Sequence, residues 1–429
     1  MIGKSRKKIN IEEKKISREH NALSSFDEQQ NATDEYIVKD LGINKKKKGT
    51  IIKIIDIKKI VIIGFAILII LTVLFTIRFI RFNAVEMVWK TSVTRGSDSV
   101  NNKSIRYSEF KNGLMRISND GITYINSDGN VVYTISYNMK DPIYESNANY
   151  FAIADRNGYE FYIFNDKGLS GNSLVSNPIQ RVSLSIDGVL YILQSDEESS
   201  YINVFRHNGQ EVDLSIKATL ASDGMPIDIS TSKDGTELVV AYTCLSNNDI
   251  FTKATYYNFA SAGANANSKR IVGEFVEEFK DKFLARVHFF DNDSSCLIYD
   301  SGVYFVSTSN PSRPSIIKKH EFSNKVRSIS YNKDYVAFVF ENNTMSVFDK
   351  RGIELSTTSI DFEYENFYLS ENLIIFLYGN RILIYDTRGR VVFDREMEME
   401  IQYVAKKKSL LFTELFVGLV DGVECIKFY

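Results

Sequence analysis

Three patterns of apolar and polar positions succeed one another along the chain. Up to Lys59, lysine, glutamate, asparagine and serine prevail with few aromatics, a mixture that buries too little apolar surface to offset the entropy of ordering. From Ile60 to Ile77 no charge interrupts the apolar run, and Phe79, Ile80 and Phe82 extend it between Arg78 and Arg81. Beyond that point short apolar stretches alternate with polar turns to the end, which is the pattern of strands.

The middle pattern predicts one transmembrane helix over residues 60–82, in contact with lipid from Ile60 to Ile80. At ~1.5 Å per residue, such a run crosses a hydrocarbon core of roughly 30 Å. Lys58, Lys59, Arg78 and Arg81 are placed to reach the headgroups. Lys45 to Lys48, Lys53, Lys58 and Lys59 precede the helix, whereas only Arg78, Arg81, Lys90 and Arg95 follow closely. This asymmetry predicts residues 1–59 as a basic, mostly disordered cytoplasmic tail, and residues 83–429 as an extracytoplasmic domain at the cell membrane. The tail is too long for a signal-peptide n-region, and no A-x-A-like site follows the apolar run, so the helix is expected to remain as an anchor.

In the last pattern a polar turn containing glycine recurs, at Gly129, Gly168, Gly209, Gly352 and Gly389, as in Ile384-Tyr-Asp-Thr-Arg-Gly-Arg-Val-Val. Asp and Asn bond back to their own backbone there, and Gly supplies the positive φ that closes a hairpin. Spacings of roughly 40 residues match the period of a four-stranded propeller blade. A second series of turns introduces strongly apolar strands, as in Lys233-Asp-Gly-Thr-Glu-Leu-Val-Val-Ala-Tyr. The fold expected is therefore all-β, an eight-bladed β-propeller, with units starting near Ile105, Pro142, Gln180, Pro226, Phe283, Lys325, Glu365 and Ile401. Seven blades is the alternative, because the units near Phe259 and Phe305 match the pattern poorly.

The last unit supplies only three strands, Ile401 to Ala405, Leu410 to Leu415 and Val423 to Tyr429. The stretch Val85-Glu-Met-Val-Trp-Lys-Thr-Ser92 reads like the fourth strand of the other units. Strand 85–92 is accordingly expected to pair with 423–429 and close the ring, which removes an exposed edge.

The Tyr/Phe-Asp-x-x-Gly turns followed by Val-Val or Leu resemble the repeats of quinoprotein-type (PQQ-like) propellers. The plan of a basic tail, one helix, a Trp-containing strand and a propeller, over about residues 60 to 429, resembles a domain-of-unknown-function family of single-pass, membrane-anchored propellers of Gram-positive bacteria. The resemblance implies fold and topology, and no activity.

Composition narrows the function classes. Phe and Tyr are abundant and Pro and Trp scarce, which suits strands. The net charge of −2 hides a tail of roughly +6, the two charges of Arg78 and Arg81, and a remainder near −10. An acidic body repels phosphate backbones, so nucleic acid is not an expected partner. Cys244, Cys296 and Cys425 form no CxxC pair and read as buried thiols. The single Trp89 reads as packing or an interfacial anchor, which leaves quinone-cofactor chemistry without its docking positions. His20, His207, His288 and His320 stand at no zinc-ligand spacing. Asp291-Asn-Asp-Ser-Ser295 lacks the central Gly and the bidentate Glu of a calcium loop, and reads as a turn.

No nucleophile elbow, P-loop or dinucleotide fingerprint occurs. The sequence nominates no catalytic, cofactor-binding or metal-binding residue and no cofactor. It points to a membrane-tethered binding or scaffolding module for a protein or cell-wall polymer. Loop Ser261 to Ser268 and an insertion around Asn247 to Phe251 are the places expected to engage the partner. The alternative is an extracytoplasmic carbohydrate-active enzyme, a lyase or hydrolase, marked by carboxylates, His and Tyr gathered at one mouth of the channel.

Overall fold

The computed structural model describes residues 57–79, 85–93, 105–246, 249–409 and 413–428. The expected tail up to residue 56, Asn247 and Asn248 of the insertion, residues 410–412 and Tyr429 lie outside them. The chain divides into two compact units, Met1–Ile80 and Arg81–Tyr429. In the first, helix α1 spans Ile57–Phe79 and so begins before Ile60. The side chains described, those of residues 62–73, are exposed. Among the described residues, no helix is both long and apolar enough to cross a membrane.

The second unit consists of eight four-stranded antiparallel sheets, the blades of a β-propeller. Their innermost strands are Arg106–Phe110, Pro142–Ser146, Ile179–Leu184, Met225–Thr231, Leu284–Phe289, Val326–Tyr331, Asn366–Ser370 and Tyr403–Lys407, numbered here as blades 1 to 8. Each start lies within two residues of the one expected from the pattern. The turn glycines sit between third and outer strands with positive φ, from 74° at Gly389 to 134° at Gly168. In all eight blades a register shift interrupts the pairing of third and outer strands. Such a bulge sharpens the twist that splays a blade outward from the axis.

Blade 8 is composite. Its three C-terminal strands are joined by Val85–Ser92, which pairs antiparallel with Gly422–Phe428 from Val85↔Phe428 to Ser92↔Gly422. Lys90 Nζ binds Glu424 Oε1 at 2.8 Å across this pair. Trp89 packs on Phe416, with ring centroids 5.9 Å apart, and against the turn at Gly129 of blade 1. A Cβ at Gly129 would stand 2.7 Å from the indole, so the turn needs glycine for space as well as for its φ of 84°.

The apolar side chains form eight clusters, each between two neighbouring blades. The cluster joining blades 8 and 1 unites Phe416, Val423 and Cys425 with Tyr107, Leu114 and Ile125. The ring is therefore closed by burial as well as by pairing. All three cysteines are free and buried.

Candidate site at the central channel

Each innermost strand pairs on one side only, so its other edge would leave backbone N–H groups unpartnered along the channel. Neighbouring blades supply the acceptors. Ser183 Oγ accepts from Thr231 N at 2.9 Å, Ser230 Oγ from Phe289 N at 2.8 Å and Ser330 Oγ from Leu369 N at 2.9 Å. Ser370 Oγ accepts from Lys406 N at 2.8 Å, and the Tyr368 hydroxyl from Val404 N at 2.5 Å. Asp228 Oδ2 does the same for Val287 N at 3.0 Å. A polar residue late in the first strand of one blade thus stitches the first strand of the next.

These stitches hold a set of ionisable groups. Burial raises the Asp228 carboxyl to about 6, against the pull of Arg286, the Val287 N–H and Arg181, whose Nε lies 3.6 Å away. Enclosure by the channel walls, and then the charge of Asp228, lifts Glu145 to about 8, although its side chain stands exposed to the channel. At the equivalent position of blade 1, burial brings Glu109 to about 7, opposed by the Ser370 hydroxyl. There Glu371 pairs with Lys333 at 3.8 Å and with Lys408 at 3.5 Å. Tyr368 and Tyr403 stack with centroids 4.7 Å apart, and burial pushes both phenols well above their ordinary value.

Antiparallel alternation sorts the connections. The hairpin between second and third strands and the link into the next blade lie at the end where innermost strands begin, here called the entry end. The remaining connections lie at the exit end. At the entry end a cavity of about 880 Å³ opens between blades 5 and 6. Arg286, Lys325, Arg327 and Tyr331 line it, with Asp300 at its wall. Its size falls in the range of roughly 300–1,000 Å³ usual for ligand sites.

The two segments nominated from sequence lie at opposite ends of one strand, Asp249–Asn258. Around the first, blade 4 lengthens into the ten-residue strands Glu237–Ser246 and Asp249–Asn258, where second and third strands elsewhere span five to seven. Leu245 and Ile250 pair across this extension and stand 58% and 71% exposed. The second forms a short helix, α2, over Ser261–Ala266. It is anchored: Asn258 Oδ1 accepts from Ala260 N and Gly263 N, and Lys269 binds Asp223 at 3.1 Å. A Cβ at Gly263 would collide with the Asn258 carbonyl.

The other candidates are structural. His288 Nε2 lies 3.1 Å from the Asn332 carbonyl, and burial lowers its imidazole to about 4. His320 bonds the Gly352 carbonyl at 2.8 Å, and His207 lies beside Ser170. Asp291 accepts from Asp293 N and Ser294 Oγ, closes a turn, and pairs with Lys350 at 2.7 Å. Among the described residues no group of His, Cys, Asp and Glu is placed to hold a metal ion. The sequence reading missed the channel groups entirely. Their one local signal is a charge set inside an apolar first strand, as in Pro226-Ile-Asp-Ile and Leu284-Ala-Arg-Val.

Fold and channel define the class: an eight-bladed β-propeller, closed by its N-terminal strand, with charged groups lining its axis. Residues 80–428 match the model of DUF5711, a family of unknown function, and the chain belongs to that family. No curated protein sequence matches it. Among solved structures, Sqt1 of Saccharomyces cerevisiae is similar at 10% identity and a TM-score of 0.51, over 81% of this chain and 98% of that one. BamB of Moraxella catarrhalis is similar at 10% identity and a TM-score of 0.48, over 81% of this chain and all of that one. Likeness at this identity speaks for the fold alone.

Proposed function

We propose that this protein is a binding module tethered to the cell membrane by the apolar segment Ile60–Ile80, with its propeller outside the cell. Its entry end engages a protein or a cell-wall polymer. The observation that carries the reading is the blade 4 extension, a lengthened strand pair that holds Leu245 and Ile250 in solvent. Exposed apolar pairs held on paired strands lose little conformational entropy on docking. The Lys and Arg asymmetry about the apolar run supports the orientation.

Two measurements on the full chain test it. Because the native thiols are buried, a Lys167→Cys variant gives one accessible site on the propeller. A membrane-impermeant maleimide should label it in intact cells; labelling only after lysis overturns the orientation. Crosslinking in cells should yield one discrete partner that is lost in a Leu245→Ser/Ile250→Ser variant. An unchanged pattern removes the docking role of the hairpin.

A second reading has its own support. Glu145, raised to about 8, keeps its proton at neutral pH, and Glu109, at about 7, keeps it in part, in a channel that also contains Tyr331, Tyr368 and Tyr403. A carboxyl that keeps its proton at that pH is what a general acid for glycan cleavage requires. Release of reducing or unsaturated sugar ends from cell-wall glycan, abolished by Glu145→Gln, would establish this reading in place of the first.

A further inference from the structure

We infer that the cavity between blades 5 and 6 receives a carboxylate side chain of an extended polypeptide, whose flanking apolar residues lie on the ridge formed by Phe283, Ile250 and Leu245. The inference rests on the binding-module reading and specifies the partner's chemistry.

The cavity concentrates cations in an acidic body. Arg286, Lys325 and Arg327 line it, all are exposed, and no ion pair holds any of them among the described residues. Arg327 is instead positioned by its ring contact with Tyr364, 4.6 Å from the centroid. Such a contact leaves the guanidinium edge free to donate, and that edge fits a carboxylate through two parallel N–H···O bonds. One carboxylate, Asp300, shares the wall with these three cations, whereas Asp228 and Glu145 do not line the cavity and both have raised carboxyls. Tyr331 on the cavity wall has its phenol pushed well up by burial and remains a neutral donor.

The ridge adjoins this cavity through the backbone. Asp300 N, on the wall, donates to the Phe283 carbonyl at 3.0 Å. Thr252 Oγ1 donates to the Lys282 carbonyl at 3.2 Å and accepts from Leu284 N at 2.9 Å, so it clasps the residues on both sides of Phe283. Ile250 precedes Thr252 by two positions and emerges on the same face of its strand. Phe283 is 45% exposed, Ile250 71% and its cross-strand partner Leu245 58%. A phosphate or uronate polymer would satisfy the cations but leave this ridge wet. A polypeptide with an Asp or Glu beside Leu, Ile or Phe satisfies both.

The test is selection of a displayed random dodecapeptide library on the full-length protein, with short-chain polyphosphate as the competing polyanion. Enriched peptides should carry an acidic residue next to large apolar ones. Their affinity should fall about tenfold or more in Lys325→Gln/Arg327→Gln, and separately in Ile250→Ser/Phe283→Ser, and should weaken with salt. Unchanged thermal unfolding of both variants excludes misfolding as the cause. Three outcomes overturn the inference: enrichment without acidic residues, binding equal in wild type and both variants, or polyphosphate binding that ignores the ridge variant. Peptides that bind equally well to both variants would leave the binding-module reading standing while removing this site; failure of the in-cell partner experiment would remove the reading itself.

Discussion

Replacing Ser370 by alanine tests whether the blades are stitched through their channel edges. Ser370 is 1% exposed, and its Oγ accepts the Lys406 N–H at 2.8 Å, where the seam between blades 7 and 8 meets the axis. Deleting the hydroxyl leaves that amide without a partner, which costs about 1–3 kcal/mol when the site is closed to water. Ser330→Ala and Ser230→Ala remove the equivalent acceptors for Leu369 N and Phe289 N, so each should lose a similar amount. Because these two hold different seams, their double variant should lose close to the sum. Urea unfolding followed by the fluorescence of Trp89, the only tryptophan, reads the closing blade directly. The expected result is a lower midpoint for each variant at an unchanged slope. Midpoints equal to wild type in all three would show that channel water serves these amides as well as the serines do, and would refute the stitching argument.

Gly129→Ala should destabilise by about 1–3 kcal/mol, because its Cβ would meet the Trp89 ring at 2.7 Å and its φ is 84°. Gly168→Ala, at φ 134° with nothing within 4 Å, carries the backbone term alone; equal melting shifts for the two would refute the Trp89 packing. Stability should also depend on pH through the channel. Asp228 is raised from 3.8 to about 6 and Glu145 from 4.5 to about 8. A carboxyl with a raised folded pKa gives stability that is complete below its unfolded value and is lost as pH rises through the folded one. Melting temperature should therefore fall from these groups between about pH 4 and 8, and Asp228→Asn and Glu145→Gln should flatten the lower and upper parts respectively. Profiles parallel to wild type in both variants would contradict this assignment.

The repeat was legible because each blade is built from local signals. A hairpin needs its Asp or Asn and its glycine within a few residues, and a buried strand needs an unbroken apolar run, so Gly129, Gly389 and Leu190–Ser195 announce themselves. Even the closing strand could be read, since a unit lacking its fourth strand leaves an edge that some other segment must cover. The status of 261–268 could not be read in this way. Its Ala, Asn and Ser suggest a free loop, yet Asn258 and Asp223 tie it down through contacts that depend on how the chain returns.

The sequence by itself determined the all-β class, the blade period, the place of each unit and the turn chemistry, because these rest on interactions between residues close in the chain. Only the tertiary structure decided the channel. Glu109, Glu145, Asp228, Arg181, Arg286 and Arg327 come from six different blades, and their spacing repeats the blade period without saying that their side chains converge. They meet because each blade twists its first strand onto a common axis, and ring closure then brings the first and last blades into register. The raised carboxyls of Glu109, Glu145 and Asp228 follow from an enclosure that exists only once the ring has closed.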